Sequence, residues 1–168
     1  MADGLAKRVI ETVGFVGVVG SLIFVGLEVR QNSVAIQAAT NASVAEAFHE
    51  QNMMLASSPE LAAALARNVE SPESGSIEDV IQILGAWRGA FHIWSNAHRQ
   101  HLDGTLHPAI FASVVQEIST YATKSSDDSA DNPVTWRKRQ MRWAWENERF
   151  IYNPDFQAFV DETIGFDN

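Results

Sequence analysis

Histidine is the residue type in this chain best suited to chemistry, and three of the five histidines, His92, His98 and His101, fall within one short run. His98 and His101 are three residues apart, so on a helix both imidazoles face the same way, and with His92 nearby, beside Trp87 and Trp94, they form a candidate zinc or copper site or a small-molecule site. A competing reading places His98 in line with Trp87, Phe91 and Trp94, as a histidine packed at the edge of a core. Glu46 and His49 match the Glu-x-x-His spacing of di-iron carboxylate bundles, but that chemistry needs a second such pair and two further glutamates. No second pair exists in the sequence. There is no Gly-x-Ser-x-Gly nucleophile turn. The chain has no cysteine, which excludes disulfides, thiol catalysis and cysteine-ligated zinc. No catalytic residue and no cofactor is assigned, and the chain is read as non-enzymatic.

A second constellation interleaves bases and aromatics: Trp136, Arg137, Lys138, Arg139, Arg142 and Trp143. Tryptophan favours membrane interfaces and Arg/Lys meet anionic headgroups, so contact with lipid or an acidic partner is one reading. Nucleic acid is disfavoured by a net charge of −9 with only 12 basic residues. The plainer reading is an amphipathic helix with Trp136, Gln140, Trp143 and Asn147 on one side and the bases on the other.

The elements that must position these groups begin with an apolar run. Residues 12–27 carry no charge, and only Thr12 and Ser21 among them are polar. Extended to 9–29, the run spans about 31 Å as a helix, the thickness of a bilayer's hydrocarbon core. A core helix of a soluble protein would show a polar face, and this run has none. A spanning anchor is therefore the leading expectation, with a buried or interfacial helix and a cleaved signal peptide as the alternatives. Gly14, Gly17 and Gly20 recur every third residue, and Gly17 with Ser21 makes a small-xxx-small pair, the pattern that lets helices approach closely in lipid. Lys7 and Arg8 precede the run and Arg30 follows it, which places the N-terminus in the cytoplasm and the rest outside.

No proline interrupts 5–57, so one helix is expected to continue to about residue 56. Ser58-Pro59-Glu60 reads as an N-cap, a proline at the first helical position and an early acid, opening a short helix over 59–69. Residues 71–75 read as a loop, and Ser76 with Asp79 as a capping box. The helix over 77–102 carries Val80, Leu84, Trp87, Phe91, Trp94, His98 and His101 as its expected buried stripe, with Gly85 and Gly89 as points of close approach. Asp103-Gly104 ends it. His107-Pro108 opens a further helix, 124–132 reads as a mobile loop, Asn132-Pro133 opens the Trp-rich helix, and Asn153-Pro154 opens a last one to about 164. At 46% apolar and 20% charged residues, the composition supports a packed core. The expected fold is all-α: a flank at 1–8, an N-terminal transmembrane helix at 9–29, and a helical-bundle domain at 30–168.

Two stretches carry a resemblance. One is 21–33, SLIFVGLEVRQNS, leading into an alanine-rich helix; the other is 142–161, RWAWENERFIYNPDFQAFVD, with Ser58-Pro59-Glu60-Leu61 between them. In this order the chain resembles a widespread group of small uncharacterised bacterial proteins that have an N-terminal apolar helix, an "RQN" junction and a helical domain. The resemblance implies that architecture and a bacterial inner-membrane location, and it brings no activity or site residue. The expectation is a single-pass membrane protein that acts as an accessory or interaction subunit of a membrane assembly or a homo-oligomer.

Overall fold

The computed structural model describes residues 2–69, 71–121 and 133–165. The segment expected to be a mobile loop, 124–132, and the Asn132 cap lie outside them. Among the described residues the fold is all-helical, with six α-helices in chain order: α1 (Ala2–Ser57), α2 (Pro59–Arg67), α3 (Ile77–Leu102), α4 (Pro108–Ser119), α5 (Pro133–Glu148) and α6 (Pro154–Ile164). Short 3₁₀ turns occupy Pro72–Ser74, where a loop was expected, and Arg149–Ile151.

The chain divides into two units, Met1–Ala39 and Thr40–Asn168. In the first, residues 12–36 are solvent-exposed. Phe15 is 70% and Phe24 63% exposed. An 18-residue window of this helix is apolar enough to cross a bilayer, and none of it is buried.

The second unit starts from its helix boundaries, which follow local chemistry. The Ser58 hydroxyl accepts from the Leu61 N–H (3.2 Å), Ser76 from Asp79 (3.1 Å) and the Asn153 amide from Phe156 (2.9 Å), and each cap satisfies an otherwise unpaired first-turn donor. A proline at the first turn follows Ser58 and Asn153. His107 caps α4 through Nδ1, which accepts from the Ala109 N–H. Gly165 ends α6 at φ 69°, in the left-handed region that glycine enters without steric cost.

The helix α3 is central and packs against α2, α4 and α5, while α4 also meets α6. Its buried face is Asp79, Ile83, Ala86, Phe91, Trp94, Ala97 and His98. Phe91, Trp94 and His98 of the expected stripe are buried, while Val80, Leu84, Trp87 and His101 lie half-buried on its shoulder and Asp79, Ile83, Ala86 and Ala97 take the inside with them. Phe91 and Trp94 meet Trp145, Tyr152 and Phe156 in an aromatic core whose ring centroids lie 5.1–6.2 Å apart along the chain Trp94–Phe91–Trp145–Phe156 and Phe91–Tyr152.

The buried face of α5 also departs from expectation. Lys138, Met141, Ala144, Trp145 and Glu148 face inward together with Gln140, while Trp136 and Trp143 are half-buried and Asn147 is exposed. Charged and amide groups are tolerated inside because they are partnered: both Glu148 oxygens accept from Arg88 (2.6 and 2.7 Å). Asp161 accepts from the Trp145 indole N–H (2.8 Å) and from Arg149. Asp79 serves Arg67 and Asn68 with its carboxylate, in place of the reciprocal backbone bond of a capping box. Those donors hold its carboxyl below the usual carboxylate range.

Gly89 is a point of close approach, as expected. The Gln51 Oε1 lies 2.6 Å from where a Cβ would stand, and Gln51 Nε2 donates to the Ala86 carbonyl (2.9 Å). Gly85 faces open space.

Candidate functional site

The three candidate metal histidines go to different environments. His98 is 8% exposed and stacks on Phe159, with centroids 4.6 Å apart, beside Phe156 and Phe111. Burial lowers its pKa from the ordinary value near 6.5; the neighbouring His101 adds to this and Asp155 opposes it. His101 lies flat on Phe111 at 4.0 Å, and His92 is exposed beside Tyr152 at 5.3 Å. The imidazole planes are used for stacking. No group of three or more His, Cys, Asp or Glu among the described residues is placed to hold a metal ion. Glu46 and His49 are both exposed on α1.

The basic–aromatic segment is dispersed around α5. Arg137 is exposed and lies over the Trp136 ring at 5.3 Å, a cation–π contact. Lys138 is buried, Arg139 donates to the Val69 carbonyl (3.2 Å), and Arg142 is half-buried. These bases do not form one open face.

In the first unit, Gly14, Gly17 and Gly20 have nothing within 4 Å of where a Cβ would stand. Ser21 donates back to the Gly17 carbonyl (2.9 Å), so its hydroxyl is satisfied within its own helix.

A concave site of the second unit differs from the His-lined small-molecule site expected beside Trp87 and Trp94: it shares the two tryptophans and none of the three histidines. A cavity of about 430 Å³ opens between the C-terminal half of α1 and helices α2 to α5. Phe48, Leu55, Leu65, Trp87, Trp94 and Trp136 supply most of its apolar wall. Tyr121 closes one side, meeting Trp87 edge-on at 5.2 Å and Trp94 at 5.9 Å. The polar wall is Gln51, Asn52, Glu117, Arg137 and Gln140. Burial pushes the Glu117 carboxyl up, with the Trp94 indole N–H working against that shift, and it pushes the Tyr121 phenol up as well.

Gln140 is the unusual member. It is fully buried, and its Nε2 donates to the carbonyls of Leu65 (3.2 Å) and Asn68 (3.0 Å). Those two bonds use both amide hydrogens and fix which end is oxygen. The Oε1 has no donor. A buried acceptor left unmet costs about 1–3 kcal/mol. Five residues of the lining stand out in the sequence: Trp87 and Trp94 on the stripe of α3, and Trp136, Arg137 and Gln140 in the basic–aromatic segment.

Models of known families, curated proteins and solved structures were all compared with the chain, and none matches it.

Proposed function

We propose that the chain is a single-pass membrane protein whose helical domain acts as a non-enzymatic interaction module, as an accessory subunit of a membrane assembly or within a homo-oligomer. One observation carries this reading: the apolar helix at 12–29 has no cover. Each Val, Leu or Phe side chain left in water forgoes about 1.5–3 kcal/mol of burial, and this segment presents them on all sides. Lipid supplies cover on all sides at once, which a single protein groove does not. The open glycine face of Gly14, Gly17 and Gly20 supports association with a second helix inside that lipid. The flanking bases favour a domain outside the cytoplasm, and the bacterial inner membrane is what the resemblance implies.

The test is membrane extraction of the full chain and of a version beginning at Asn32. The full chain is expected to stay in membranes washed with alkaline carbonate, while the shorter one stays in solution. Protease added to sealed vesicles then reports the side on which the domain lies. Release of the full chain by carbonate would refute the anchor and make the segment a core or interfacial helix.

A further inference from the structure

We propose that the cavity walled by Trp87, Trp94, Tyr121 and Trp136 holds a quaternary ammonium group, of a free solute or of a lipid headgroup, with Glu117 as its counter-charge. This inference is independent of the membrane reading. At about 430 Å³ the space lies within the usual range of ligand sites, with room for a trimethylammonium head and the substituent it carries. Three indoles and a phenol line it, and the faces of such rings carry the negative side of the ring quadrupole. Trp87 and Tyr121 stand at 88° with centroids 5.2 Å apart, a corner in which two rings flank one bound group, and Trp94 lies 5.9 Å from Tyr121. The attraction of these rings for cations is visible at Trp136, which holds the Arg137 guanidinium 5.3 Å from its centroid. Two buried polar atoms of the wall, Gln140 Oε1 and the Trp94 indole nitrogen, have no accessible surface, so neither meets a ligand. A quaternary ammonium needs neither, since it has no hydrogen to donate and no lone pair. Charge favours a cation as well. Glu117 is half-buried, and no ion pair among the described residues reaches it. Burial disfavours its charged form, a cost that a bound cation offsets. Arg137, the opposing charge of the lining, is exposed, and water screens it.

The experiment compares two probes that differ only in charge: choline, and 3,3-dimethyl-1-butanol, in which carbon replaces the nitrogen. The full chain in a nonionic detergent at pH 8 is titrated calorimetrically with each, and the heat from protein-free micelles is subtracted. Saturable binding of choline is expected, about tenfold tighter than that of the neutral probe. Glu117→Gln is expected to lower choline affinity about fivefold, and Trp87→Leu, which keeps an apolar wall but removes a ring, by a similar factor, with helical circular dichroism retained. Phosphocholine measured alongside names the source: tighter binding than choline assigns the site to a lipid headgroup, weaker binding to a free solute. Equal or tighter binding of the neutral probe, no saturable binding of choline, or undiminished choline binding by either folded variant would each overturn the proposal. The probe pair needs no variant, and it decides alone if the variants fail to fold.

Discussion

The apolar segment at 12–29 and the helical unit Thr40–Asn168 treat their hydrophobic side chains in opposite ways. In the first, Phe15, Leu22 and Phe24 stand exposed. In the second, Phe91, Trp94, Trp145 and Phe156 are fully buried in one another's company. The polar side chains differ in the same sense. In the segment Ser21 spends its hydroxyl in a bond to its own helix. The domain threads Arg88–Glu148, Arg67–Asp79 and Arg149–Asp161 through its edges. The same residue types thus serve two solvents. Where the chain supplies its own apolar surroundings, it also partners its charges; where it does not, it carries almost none.

That contrast can be broken most forcefully at its aromatic centre. Trp145→Ala is expected to destabilise the domain by about 3–5 kcal/mol, because it removes an indole with no solvent exposure and leaves a cavity. Phe24→Ala is expected to leave the domain's thermal unfolding within about 0.5 kcal/mol of the parent. A matching loss in both, followed by near-ultraviolet circular dichroism, would mean that the two regions share one core. A smaller effect sharpens the polar side of the comparison. Asp161→Asn keeps an acceptor for the Trp145 indole but loses the charge that Arg149 meets, a change worth about 2 kcal/mol. Ser21→Ala is expected to leave thermal unfolding of the domain unchanged.

The smallest effect is one of pH. Burial lowers the His98 pKa in the folded state below its ordinary 6.5, so the unfolded chain takes up the proton more readily. The contribution of His98 is therefore neutral above that value and becomes destabilising as pH falls through it. Thermal unfolding followed between pH 8 and pH 5 is expected to show this loss, and His98→Phe, a ring for a ring against Phe159, is expected to reduce it. An unchanged pH slope in His98→Phe would show that other groups set the dependence.

Helix ends were legible in the sequence because their signals are local. Ser58-Pro59, Ser76 and Asn153-Pro154 each satisfy donors within three residues, and all three cap as read. Faces were less legible. The periodicity of α3 pointed to Leu84 and Trp87, but the large rings outweighed Ala86 and Ala97 in that reading, and the small residues take the inside. In α5, Lys138, Gln140 and Glu148 look like surface residues until their distant partners are known. Gln140 meets Leu65 and Glu148 meets Arg88, contacts that no local pattern encodes. The cavity was illegible for the same reason, since its walls come from five helices and the Tyr121 turn.

The Asp161 clamp has a consequence for the order in which the protein is made. Its bonds to Trp145 and Arg149 close loops of 16 and 12 residues, whereas Gln140 reaches back 75 residues to Leu65 and Glu148 reaches back 60 to Arg88. Short loops cost less entropy to close than long ones, so the corner between α5 and α6 is the inexpensive step of folding. It is also synthesised after the helices it covers. While the ribosome is still translating, Phe91 and Trp94 have emerged without the rings that cover them. The core therefore closes only once 142–161 has emerged, and a ribosome stalled before residue 142 leaves Phe91 and Trp94 without that cover.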